Sequence, residues 1–150
     1  MIKIALGEVV EVFIIDEGHT YNSNHPFHLH GNYFRVVGIG KVGLSTTIDE
    51  IKTMDSQGKL ERNLKGAPMK DSVKVNDGGY TIVRFHAKNP GFWFFHCHLQ
   101  THTAVGMGLT FQVGTLEQQP KVPKNFPRCG PWKYEGFEDD KKLDNTCPTS

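Results

Sequence analysis

The sequence has no excess of charge of either sign: 17 Lys and Arg stand against 16 Asp and Glu, a formal +1 over 150 residues. So weak a field removes nucleic acid and anionic membrane surfaces as default partners. No apolar run approaches the roughly 18 to 20 residues that cross a bilayer, so no membrane span is expected. The stretch Met1 to Asp16 is broken by Lys3, Gly7, Glu8 and Glu11, which reads against a signal peptide in this chain. There is no internal repeat, and 150 residues hold one ordinary domain. A function that needs two packed domains must therefore take the second from elsewhere. What the chain does have is material for a core: 37% hydrophobic residues, including ten Phe, four Tyr and two Trp.

Short runs rich in Val, Ile and Phe, punctuated by Gly, Pro and Asn, predict an all-β domain with two sheets packed face to face. The candidate strands are Ile2 to Leu6, Val9 to Ile15, Phe34 to Ile39, Val73 to Val75, Tyr80 to Phe85, Phe92 to Phe95 and Leu109 to Val113. Asn76-Asp77-Gly78-Gly79 suits a tight reversal and predicts a hairpin; Lys88-Asn89-Pro90-Gly91 is a second turn. One short helical insertion is expected near Thr47, where Thr47-Ile48-Asp49-Glu50 fits a capping box and Ile48 and Ile51 share a face through Met54. Beyond Gly114 the pattern dissolves into Pro120, Pro123, Pro127, Pro131 and the mixed-charge stretch Glu138 to Lys142. Residues 1–114 are read as the domain and 115–150 as an irregular, Pro-rich tail.

Six of the eight histidines fall in two clusters, His25-Pro26-Phe27-His28-Leu29-His30 and His96-Cys97-His98-Leu99-Gln100-Thr101-His102. On an extended strand alternate side chains share a face, so His96 and His98 point one way and Cys97 the other. One tripeptide can thus serve two metal sites. His28 and His30 share a face by the same parity, and Pro26 separates them from His25. Cys97, His102 and Met107 follow at intervals of five residues; with His25 they supply a thiolate, two imidazoles and a thioether. That soft set selects copper and makes an electron-transfer site of the blue-copper kind, whereas zinc in a closed site would want a second thiolate, which is lacking nearby. His28, His30, His96 and His98 have no thiolate among them and suit copper that binds oxygen species. His19 and His86 have no partners in sequence and are read as loop or surface residues. Phe92, Trp93, Phe94 and Phe95 are read as core and as a dry shell around the metal.

On these residues the chain resembles the C-terminal cupredoxin domain of a multicopper oxidase, most of all the animal laccase branch. The resemblance runs from about Ile2 to Val113. It implies a cupredoxin-like Greek-key β-sandwich, with His25, Cys97, His102 and Met107 as type 1 copper ligands, His28 as a type 2 ligand, and His30, His96 and His98 as type 3 ligands. It further implies single-electron oxidation of a phenolic or similar reductant, transfer through Cys97 into His96 and His98, and reduction of dioxygen to water. Such enzymes take the other half of the trinuclear site from an N-terminal cupredoxin domain with two further His-x-His pairs, absent from this sequence. Half a cluster is therefore expected here. A stand-alone cupredoxin electron carrier, using only the type 1 set, is the alternative. The family usually carries Asp or Glu where this chain has Gln100, so slower oxygen reduction is expected. Cys129 and Cys147 could bridge each other or reach a missing domain. A disulfide would agree with the secreted character of the family, and the chain is expected to be a piece of a longer secreted precursor.

Overall fold

Alternation along Val9–Asp16 puts Val10, Val12 and Ile14 on one side of a strand and Glu11, Phe13 and Ile15 on the other, and the fold uses both sides. In the computed structural model, residues 1–18 and 23–123 are described. Among them, nine strands run in the order β1 (Ile2–Ile4), β2 (Val9–Asp16), β3 (His25–Leu29), β4 (Phe34–Lys41), β5 (Met69–Lys70), β6 (Ser72–Val75), β7 (Gly79–His86), β8 (Gly91–Cys97) and β9 (Gly108–Val113). They form a five-stranded sheet, β1-β9-β8-β3-β6, and a four-stranded sheet, β2-β7-β4-β5. The pairing is antiparallel except where β1 lies parallel to β9. The result is a cupredoxin-like Greek-key β-sandwich, as the sequence led us to expect. One compact unit spans Met1–Gln119.

The Asn76–Gly79 reversal does not close a hairpin. It carries the chain from β6 in one sheet to β7 in the other, so neighbours in sequence face each other across the core. Gly78 makes this possible: its φ is +61°, and a Cβ there would stand 2.4 Å from the carbonyl oxygen of Gly43.

Apolar side chains fill two layers. Between the sheets lie Ile14, Leu29, Phe34, Val75, Val83, Phe85, Phe95, Phe111 and Val113. Outside the four-stranded sheet, Ile82 and Val37 pack with Ile51 of helix α1 (Ile48–Ser56), and with Leu60 and Ala67. The Thr47 hydroxyl caps α1 by accepting from the Glu50 N–H, but the Glu50 carboxylate takes the Thr46 hydroxyl at 2.8 Å. Ile51 is fully buried and Met54 packs beside it, while Ile48 stays 47% exposed, so the apolar stripe is shorter than expected.

Two readings of the aromatic run need correction. Phe95 is core, but Phe92 and Phe94 are exposed on the opposite face of β8 because a strand alternates and only one of its sides meets the other sheet. A second helix, α2 (Gln100–Ala104), was not foreseen: five residues are too few to show a helical period. His86 ends β7 and is exposed; His19 lies outside the described residues, as do residues 124–150 with Cys129 and Cys147. Among the described residues no helix is long and apolar enough to cross a membrane.

Candidate metal centre

Strand β3 pairs with β8 so that Phe27 opposes Cys97, His28 opposes His96 and Leu29 opposes Phe95. This register sorts the chemistry onto two faces. The row His25, Phe27 and Leu29 shares the inner side with Cys97 and Phe95, and His28 shares the outer side with His96.

On the inner side, at one end of the sandwich, Cys97 is fully buried. Its Sγ lies 3.8 Å from His25 Nδ1 and 3.7 Å from His102 Nδ1, and those two nitrogens are 3.0 Å apart. Among the described residues this is a group of three donors within 4.8 Å of one another. An ion about 2.0 to 2.1 Å from each nitrogen and about 2.3 Å from sulfur, at tetrahedral to trigonal angles, would set N–N near 3.5 Å and N–S near 3.7 Å. Both sulfur–nitrogen distances meet that geometry and the two nitrogens lie about 0.5 Å closer together than it, so the donor set fits a metal ion with the two rings slightly spread. Helix α2 supplies His102, and the Cys97 N–H donates to the Met107 carbonyl at 3.0 Å while the Met107 N–H donates to the His102 carbonyl at 3.0 Å. Met107 thus borders the site through its backbone.

On the outer side four imidazoles gather. Ring centroids are 4.8 Å apart for His28 and His30, 5.2 Å for His30 and His96, 5.5 Å for His96 and His98, and 6.0 Å for His28 and His98. His30 Nε2 lies 3.0 Å from His96 Nε2. Two ring lone pairs at that distance repel unless a proton or a metal ion sits between them. Desolvation of the ring, and then the neighbouring rings of His28, His96 and His98, hold the His30 pKa below the ordinary histidine value.

Residues with no signal in the sequence orient these rings. His28 Nδ1 lies 3.0 Å from both the Asp71 carbonyl and the Ser72 hydroxyl, so an Nδ1–H directed there leaves Nε2 open. His96 Nδ1 lies 2.9 Å from the Cys97 carbonyl and 3.3 Å from the Thr103 hydroxyl, and Phe94 stacks on the His96 ring at 4.4 Å. The Thr103 hydroxyl itself donates to the Cys97 carbonyl, which ties α2 to β8. Gln100 is exposed as the first residue of α2.

Residues 1–117 match the family model described as multicopper oxidase. Laccase-2 of Oryza sativa subsp. japonica is 39% identical over 131 residues, which covers 85% of this chain and 22% of that protein. An L-ascorbate oxidase of Brassica rapa subsp. pekinensis is 39% identical over 121 residues, covering 78% of this chain and 20% of that protein. Among solved structures, the laccase from Botrytis aclada superposes with a TM-score of 0.54 at 30% identity, over 73% of this chain and 19% of that one. The chain thus spans about a fifth of the length of these relatives. With a family match over most of its length and donors of the expected kinds gathered on the two faces of one sheet, this chain belongs to the multicopper oxidase family.

Proposed function

We propose that this chain is the copper-carrying C-terminal domain of a laccase-like multicopper oxidase. In this reading His25, Cys97, His102 and Met107 hold the type 1 copper. His28 serves the type 2 copper and His30, His96 and His98 the type 3 pair, as half of a trinuclear cluster completed by the N-terminal cupredoxin domains of the same enzyme. Copper bound at these positions supplies one-electron redox chemistry beside Cys97 and reduction of dioxygen to water at the imidazole cluster.

The residues of the chain do the rest. The inward Cys97 sulfur and the outward rings of His96 and His98 belong to one tripeptide, so with copper held on both faces the covalent backbone would connect the site that meets a phenolic-type reductant with the imidazole cluster. The 2.9 Å contact of His96 Nδ1 with the Cys97 carbonyl offers a shorter route beside it. Full burial of Cys97 excludes water from the sulfur. The reductant is assigned by its class alone, since both a laccase and an ascorbate oxidase are among the relatives. On the same reading the enzyme works outside the cell as part of a longer precursor.

The observation that carries this proposal is the split of the His96-Cys97-His98 tripeptide across one sheet. The test is to load the chain with copper and record its absorption. The expected result is an intense thiolate-to-copper band that Cys97→Ser abolishes while the fold survives; copper bound without such a band overturns the reading. The second reading, an electron carrier using the Cys97 site alone, is favoured if the chain joined to N-terminal cupredoxin domains with their His-x-His pairs consumes no oxygen.

A further inference from the structure

The inward-facing row of β2 runs Val10, Val12, Ile14 and then Asp16, an ionisable side chain where alternation calls for an apolar one. On the other sheet the inward row of β3 runs Leu29, Phe27 and then His25. The two rows end opposite each other at the same end of the sandwich. There Asp16 Oδ2 lies 3.4 Å from His25 Nε2, with 12% of the Asp16 side chain and 14% of the His25 side chain exposed. Asp16 Oδ1 accepts from the Gly18 N–H at 3.0 Å. Gly18 has φ +87°, and a Cβ there would meet the Leu44 carbonyl oxygen at 2.4 Å, so the turn that holds the carboxylate is itself confined. Oδ2 is buried and has no hydrogen-bond partner among the described residues, with His25 Nε2 standing 3.4 Å away. A buried carboxylate oxygen in that state costs stability unless it receives a proton-bearing group.

We propose that Asp16 is the positioning residue for His25, accepting the Nε2–H and so presenting the Nδ1 lone pair to the metal beside Cys97. This rests on the assignment of His25 as a copper ligand made above. A neutral imidazole carries one ring proton, and an acceptor at Nε2 holds it there. His25 Nδ1 then faces His102 Nδ1 at 3.0 Å as an acceptor, so in the metal-free chain His102 is the donor. His102 must shift its proton to Nε2 to bind a metal through Nδ1, whereas His25 is ready as it stands. The negative charge also makes the ring a stronger donor, as carboxylates behind metal-bound histidines generally do.

The test uses the 150-residue chain and three readouts. In the metal-free chain, nitrogen NMR at about pH 8, where histidines are ordinarily neutral, is expected to find His25 protonated at Nε2; a proton at Nδ1 overturns the proposal. Asp16→Ala is expected to weaken copper binding by about 10- to 100-fold, and unchanged affinity overturns it. Asp16→Asn keeps an acceptor oxygen and tests the proposal even if the alanine variant does not fold. It is expected to retain the Nε2 proton and most of the affinity while raising the reduction potential of the copper-loaded chain; an unchanged potential overturns the electrostatic role. Failure here is separable from failure of the parent assignment. A Cys97-dependent absorption band that persists with no effect of either Asp16 variant sinks this inference alone, while absence of the band sinks the copper assignment.

Discussion

His96 Nδ1 lies 2.9 Å from the carbonyl oxygen of Cys97, so the ring that serves the outer face is tied to the peptide of the residue that serves the inner one. The two donor sets are thereby coupled twice, through bonds and through a contact that closes on the same strand. Changes on either face are expected to register on the other.

On the proposed assignment of Met107 as a copper ligand, Met107→Leu is expected to retain copper and raise its reduction potential, because a weak thioether donor would be lost while the backbone contacts of Met107 with Cys97 and His102 stay. Potentiometry of the copper-loaded chain checks it; a lowered potential contradicts the proposed ligand role of Met107.

In an assembled enzyme, Gln100→Glu is expected to speed the oxygen-limited turnover. An amide at the exposed start of α2 cannot carry a proton, and a carboxyl there can. Oxygen uptake at saturating reductant is the measurement, and equal rates would show that a carboxyl at position 100 does not deliver protons.

Thr103→Val keeps the shape of the side chain and deletes the hydroxyl that donates to Cys97 and lies 3.3 Å from His96 Nδ1. A loss of about 1 kcal/mol is expected in chemical denaturation, with faster hydrogen exchange confined to α2. Exchange that rises evenly through both sheets would argue against a local tether.

Gly31→Ala is expected to cost about 1 to 3 kcal/mol. Gly31 takes φ +63°, and a Cβ there would stand 2.2 Å from the Trp93 ring, which is itself held by an Nε1–H···O contact of 2.8 Å to Asn89. Thermal unfolding reads the loss, and wild-type stability would show that the ring moves aside freely.

Glu11 sits between two guanidinium groups, with Arg62 Nη2 at 2.9 Å from one oxygen and Arg84 Nη2 at 2.6 Å from the other; Arg62 also holds Asp55 of α1 at 2.7 Å. Burial alone would raise the Glu11 pKa, but the hydrogen bonds and charges of Arg62 and Arg84 outweigh it and lower it below the ordinary 4.5. The folded form therefore binds its proton later than the unfolded one as pH falls. The stabilisation is complete above about pH 4.5 and disappears as the pH drops through the lowered value. Glu11→Gln is expected to cost about 1 kcal/mol at pH 7, modest because Arg84 is 37% exposed. The gap between variant and wild type should shrink in acid, and a gap that does not change with pH would rule out the ion pair as its source.

Parity and ligand softness were legible in the residues alone. His96, Cys97 and His98 on an extended strand cannot all face one way, and a thiolate with two imidazoles and a thioether prefers copper whatever the fold. Capping at Thr47 and the turn at Asn76–Gly79 were legible too, since each follows from local backbone chemistry. What the turn connects was not: β6 and β7 belong to different sheets, and strand pairing depends on partners far along the chain. The same holds for Asp16 beside His25, Asp71 and Ser72 beside His28, and Thr103 beside His96. Short-range pattern assigns a side chain to a face, whereas which distant side chain waits opposite is decided only when two sheets close on a common core.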